Sequence, residues 1–223
     1  MPRRRVLTNE QLEGLLMLPT AEAELVRHYT LSQADLAAIE RRRRDHNRLG
    51  FALQLCALRY PGRLLRPGEL IPGVVLRFIG EQLGIEADAL AGYAVRFQTR
   101  YAHSSTLQEF FGYRPLEGLA RREVQAWLLP VALTTTSGLA LAEALTGELR
   151  RRWVIVPGPS VIERMVATAM LEAERHVAAQ LTEGLPPAQA AGLDGLLEAH
   201  PESPHSACSP GHGAHRASSA IAR

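Results

Sequence analysis

Residues 32–62 read SQADLAAIERRRRDHNRLGFALQLCALRYPG. Ser32 with Asp35 three residues on is a helix-start signature, in which a hydroxyl and a carboxylate satisfy the first free N–H groups. Leu36 and Ile39 follow at helical spacing, and the pattern predicts a helix running through Arg41–Arg44 toward Asn47. Gly50 permits a break. Phe51, Leu55 and Leu58 then recur at helical spacing until Tyr60-Pro61-Gly62 turns the chain.

Working outward, the same punctuation recurs on both sides. Toward the N-terminus, Thr8 and Gln11 form a capping box ahead of Leu12, Leu15 and Leu16, and Pro19 stops that helix. Thr20 is placed to cap a second helix with Leu25 and Tyr29 on one face. Toward the C-terminus, Pro61-Gly62, Pro67-Gly68 and Pro72-Gly73 mark a subdomain boundary. A helix through Val75, Phe78, Ile79 and Leu83 is closed by Gly84. Leu90, Tyr93, Ala94, Phe97 and Tyr101 form an i, i+3, i+4, i+7, i+11 stripe, so the pair reads as a helix-turn-helix. Ser105 with Gln108 caps a short helix ending at Gly112. Pro130 ends the next helix, Leu141, Leu145 and Leu149 mark another, and Trp153–Val156 is the single strand-like run. Ser160 and Glu163 form a further capping box. The expected class is mainly α, with small helical modules in series: a basic module at 1–66, a helix-turn-helix-like module at 67–115 and a helical module at 116–198. At 199–223 the composition turns to His, Ser, Ala and Pro without helical or strand period, and a disordered tail is expected.

Composition narrows the function classes. The 223 residues are 46% hydrophobic and 22% charged, as in an ordinary globular protein. All 25 basic residues are arginine, and the net charge of +2 hides an uneven distribution. Residues 1–66 hold twelve arginines against seven acids, whereas residues 67–198 hold eleven against fifteen. Two cysteines, Cys56 and Cys208, are too few for a disulfide framework, and Cys56 sits in an apolar run as a core residue. No secretory leader or membrane-length apolar run is apparent, so the expected compartment is the cytoplasm.

Two clusters carry candidate chemistry. Four consecutive arginines on a helix sweep around its axis, ~100° per residue, and cannot all face one ligand. Arg43 falls over the Leu36/Ile39 stripe and is expected to lay its stem on the core. Arg41, Arg44 and Arg48 fall closer to one outer face suited to gripping phosphates. The competing reading is a solvated face partnered by Glu40 and Asp45. Arg96, Thr99, Arg100 and His103 share the polar face of the Leu90–Tyr101 helix, the arrangement a recognition helix needs. The competing reading there is an ordinary amphipathic surface helix. Arg150–Arg152 close a helix, where cations suit the dipole. His28 and His176 read as packed or solvated, and four histidines in the tail are at most a loose metal-binding tract. No metal-ligand spacing, nucleophile elbow or phosphate-binding glycine loop occurs, so no cofactor and no catalytic residue is expected.

The stretch His28-Tyr29-Thr30-Leu31-Ser32, Asp35-Leu36, Arg41–Cys56 and Leu58–Arg63 strongly resembles the N-terminal domain of the large transposases of the Tn-three family, the class II replicative transposons of bacteria. The resemblance continues through Gln82–Ile85, Tyr93, Arg96, Gln98-Thr99-Arg100, His103, Phe111–Pro115, Trp127-Leu128, Glu148–Arg152 and Pro159–Arg164. It implies binding of double-stranded DNA at transposon terminal inverted repeats, with Arg41, Arg44, Asn47, Arg48, Arg96, Thr99, Arg100 and His103 as contact candidates. It further implies an intact transposase as a partner, a nucleoid location, and neither a membrane nor a small-molecule substrate. The resemblance dissolves after Leu193–Glu198. A truncated or frameshifted transposase without its Mg²⁺-binding Asp-Asp-Glu domain is therefore expected. The rival reading is a helical protein-interaction fragment that docks on other transposase regions without binding DNA itself.

Overall fold

Residues 49–58 are buried without exception, which makes their helix a central strut rather than an amphipathic surface element. The computed structural model describes residues 5–93, 97–184 and the single positions 186, 189 and 192; for 97–101 it describes the backbone alone. Among the described residues nine α-helices follow in order: α1 (Asn9–Leu16), α2 (Glu22–Tyr29), α3 (Gln33–Glu40), α4 (Asp45–Arg59), α5 (Gly73–Leu83), α6 (Phe97–Phe111), α7 (Gly118–Ala132), α8 (Gly138–Arg151) and α9 (Pro159–Thr182). A 3-10 helix at Ala87–Gly92 precedes α6. Among the described residues the extended structure is one isolated parallel bridge, Arg114 to Val154. The mainly α expectation holds. The chain divides into two units at Ala179/Gln180, and nearly all the described structure lies in the first. The expected tail, 199–223, lies outside the described residues.

Several start and stop signals act as read. Thr8/Gln11 and Ser32/Asp35 both close reciprocal capping boxes. Gly84 ends α5 at φ +65°, the left-handed conformation a C-terminal cap requires. Other signals yield to packing. Arg41–Arg44 do not continue α3: they form the connector to α4, and Arg44 takes its N-cap position. Gly50 does not break the chain but lies inside α4, where a Cβ would come within 2.3 Å of the Tyr93 ring. Thr20 is not the cap of α2; Ala21 occupies that position without a side-chain bond. Pro130 sits inside α7. Glu163 does not pair with Ser160; its carboxylate accepts the backbone N–H groups of Val6 and Leu7 at 2.8 and 3.1 Å. The expected Leu90–Tyr101 helix does not begin at Leu90, which falls in the 3-10 helix with Tyr93 as its C-terminal cap; the described part of α6 runs from Phe97. Ser105 lies within α6, which ends before Gly112 at φ +74°.

The buried side chains form two cores. One gathers Leu7, Leu12 and Leu16 of the N-terminal segment with residues of α7, α8 and α9. The other runs from Leu18 to Tyr113 around α4. It crosses the turn-rich 61–73 segment, which polar bonds tie down: Arg63 Nε donates to the Leu16 carbonyl at 2.7 Å and its guanidinium pairs with Glu69, while the Gln54 side chain accepts from Leu65 N–H. The Pro-Gly pairs therefore punctuate a core-attached loop.

Candidate nucleic-acid interface

The Arg41–Arg44 connector is short because α3 and α4 both pack on the Leu18–Tyr113 core, α3 through Ala38 and Ile39 and α4 through Leu49 to Leu58. The four guanidiniums are thereby split between two environments. Arg42, not Arg43, turns inward, its guanidinium 4.5 Å over the Phe51 ring. Its Nε is buried without a hydrogen-bond partner, the one such side-chain atom among the described residues. Burial lowers the Arg42 pKa, with the neighbouring Arg41 charge adding to the effect. Arg41, Arg43 and Arg44 are exposed. Arg41 lies 5.5 Å over Phe110 near the end of α6, and among the described residues no carboxylate comes within ion-pair distance of these three. Arg48 is more engaged: Nε donates to the Arg42 carbonyl at 3.0 Å and the guanidinium reaches Asp45 at 3.6 Å. Asn47 is half-buried in the first turn of α4. The connector thus presents three exposed guanidiniums, without a carboxylate partner among the described residues, beside the N-terminus of a 15-residue helix, whose dipole adds to their field.

Of the second predicted cluster, His103 is the member whose side chain the structure describes. His103 is not on an exposed polar face; it is 4% exposed. Its Nδ1 and the Tyr93 hydroxyl lie 3.1 Å apart, and its ring meets the Phe51 edge at 5.2 Å. Burial, helped by the Arg42 charge, lowers its pKa to about 4, so the imidazole is neutral near pH 7. Leu107, one turn on, is fully buried, which marks this side of α6 as a packing face. Sequence periodicity does not show this, because it counts the stripe from Leu90, which falls in the 3-10 helix and not in α6. Thr99 and Arg100 lie in the first turn of α6 with side chains outside the described residues, as does Arg96 entirely.

Several arginines outside both clusters are committed to structure. Arg59 pairs with the buried Asp35, whose pKa stays lowered although burial alone would raise it, because Arg59 and Ser32 hydrogen-bond the carboxylate. Arg150 lies 5.2 Å over Tyr60 and donates to the Pro61 carbonyl. Arg151 and Arg152 both grip Glu148. Among the described residues no group of three or more acidic, His or Cys side chains is arranged to hold a metal. None of their helices is long and apolar enough to cross a membrane.

Residues 6–169 match the family described as a domain of unknown function, DUF4158. The chain belongs to that family. It is 41% identical over 198 residues to the transposase for transposon Tn21 of Escherichia coli, a match covering 89% of this chain and 20% of that protein. It is 36% identical over 198 residues to the transposase for transposon Tn501 of Pseudomonas aeruginosa, with the same coverage. The transposase for transposon Tn1546 of Enterococcus faecium is 31% identical over 199 residues, again 89% of this chain and 20% of the relative. The matched region is the N-terminal part of transposases of the Tn-three family. The chain spans about one fifth of the length of these relatives. Its homology ties it to transposition.

Proposed function

We propose that the chain binds double-stranded DNA at transposon terminal inverted repeats, as the non-catalytic N-terminal part of a transposase, with an intact transposase as its partner at those ends. The observation that carries this reading is the connector. Arg41, Arg43 and Arg44 stand exposed beside the start of α4, with no carboxylate partner among the described residues, where a phosphate backbone finds both guanidiniums and a helix N-terminus. Arg48 and Asn47 border the same turn and shape it more than they contact DNA. Arg96, Thr99 and Arg100 supply a second contact in this reading on the strength of the family resemblance. His103 is left out, since a buried neutral imidazole beside Arg42 is part of the packing that holds the connector. A cytoplasmic, nucleoid-bound location follows from the same reading.

Anisotropy titration of the full chain with a duplex carrying the element's inverted repeat, across several salt concentrations, tests it. Replacing Arg41, Arg43 and Arg44 together by Gln is expected to weaken binding by about 100-fold and to flatten the salt dependence by roughly two to three ions, as loss of phosphate contacts requires. Affinity and salt slope unchanged in the triple variant would remove the connector from the interface.

A further inference from the structure

The C-terminal end of α8 carries an arrangement that the connector does not explain. The Trp153 N–H donates to the Arg150 carbonyl at 3.1 Å, and the Val154 N–H reaches back to the Leu149 carbonyl at 2.9 Å. This pair of bonds is the Schellman closure of a helix, whose left-handed position normally falls to glycine. Here it falls to tryptophan: Trp153 has φ +56°, the one non-glycine residue at positive φ among the described residues. A bulky side chain in this conformation is strained, and such strain collects at functional sites.

The strained residue is also displayed. Its side chain remains half-exposed, at 51%. Its backbone is clamped on the other side by the bridge, with Arg114 N–H donating to the Trp153 carbonyl and Ile155 N–H to the Arg114 carbonyl, both at 2.9 Å. The Tyr113 ring meets the indole edge-to-face at 5.1 Å. A rigid indole is therefore held with part of its surface in solvent. Arg152 precedes it in the chain, and Arg114 lies across the bridge. Arg151 and Arg114 keep 69% and 48% of their side chains exposed. Among the described residues Arg114, Arg151 and Arg152 pair with Glu123 and Glu148, three cations to two carboxylates.

An exposed planar aromatic flanked by guanidiniums is the chemistry that receives nucleic-acid bases: the ring stacks on a base and the cations take the adjoining phosphates. We propose that Trp153 is a stacking platform for an unstacked DNA base, with the exposed Arg114 taking a flanking phosphate. The platform rests on the DNA-binding reading above and adds a preference to it. DNA with an unpaired or opened step binds more tightly than the same duplex fully paired, because opening a paired step costs unstacking energy.

The chain has two tryptophans, so in a Trp127→Phe background the emission reports Trp153 alone. Three probes are titrated: the paired inverted-repeat duplex, the same duplex with one bulged adenine, and its single strand. The platform predicts quenching of Trp153 on DNA binding, deepest with the bulged duplex. Trp153→Gly and Trp153→Asn both suit the left-handed conformation, so thermal unfolding is expected to be unchanged or raised, while affinity for the bulged duplex falls roughly tenfold. DNA binding with no quenching, or with equal affinity in both variants, overturns the platform and leaves the connector reading standing. A surface kept for a protein partner would give that result. No binding to any probe overturns both.

Discussion

Two arginine runs of similar composition meet opposite fates. Arg150–Arg152 end a helix that supplies its own counter-charge: Glu148, one turn back, takes Arg151 and Arg152, and Arg150 is laid over Tyr60. Arg41–Arg44 lie between helices and have no such carboxylate among the described residues; their contacts are aromatic, Phe51 under Arg42 and Phe110 under Arg41. The first run is held by charge and the second by packing. A run of guanidiniums becomes available to a ligand when the backbone beneath it cannot place a carboxylate at i−3 or i−4, as a connector cannot. The two regions should therefore fail under different perturbations.

The largest effect is expected from packing on the connector side. Gly50→Ala drives a Cβ to 2.3 Å from the Tyr93 ring, whose hydroxyl meets His103 beneath Arg42. Overpacking of this kind costs about 3 kcal/mol, read as a lower midpoint in urea unfolding. DNA affinity should fall with it, since the surface under Arg41 and Arg42 shifts. The α8 end has no close approach of this kind at Gly147, which meets only the flexible tip of Arg150 at 3.9 Å. Gly147→Ala is the paired control, and equal destabilisation by the two substitutions would break the contrast.

What was legible in the sequence follows the same division. Features written in short range were read correctly: both reciprocal capping boxes, the glycine that ends α5 and the mainly α class rest on bonds within four residues. Features decided at long range were not. Gly50 looks like a break until Tyr93 is placed on it, and Glu163 looks like a cap partner until Val6 and Leu7 arrive to claim its carboxylate. His103 looks like a surface contact until Phe51 and Tyr93 enclose it. For the candidate interface, periodicity put the wrong arginine inward, Arg43 instead of Arg42. It assumed one continuous helix, and the connector rotates the side chains by stopping α3 at Glu40. The family resemblance was legible because it rests on short runs of residues, which are read without knowing how the helices pack.

An intermediate effect is expected where charge holds the structure. Hydrogen bonds from Arg151, and then Arg152, hold the Glu148 carboxyl down at about 2, although its burial works against this. A carboxylate with a depressed pKa in the folded state stabilises the fold above its unfolded pKa near 4.5 and loses that contribution as pH falls through about 2. Glu148→Gln should lower stability by about 2 kcal/mol at pH 7 and flatten the stability profile between pH 4.5 and pH 2. Urea midpoints across that window decide it. A profile equally steep in wild type and variant would assign the charge dependence elsewhere.

The smallest effect is expected at His103, and it separates the two regions by pH. Burial, with the Arg42 charge, depresses the imidazole from 6.5 to about 4. In the unfolded chain it takes a proton at higher pH than in the fold, so stability is full above pH 6.5 and is lost as pH falls toward 4. The expected loss is about 1–2 kcal/mol, less than the full shift implies, because loosened packing admits water to the charged ring. This window lies above that of Glu148, so the connector side should weaken first on acidification. Backbone amide exchange in α4 and α6 should accelerate between pH 6.5 and pH 4, with α8 protected until lower pH once the intrinsic pH dependence of exchange is divided out. His103→Gln retains a polar partner for the Tyr93 hydroxyl without titrating, and should abolish that early step. If α8 loosens together with α4 and α6 in the wild type, the two regions share one cooperative response, and the division between packing and charge does not extend to their stability.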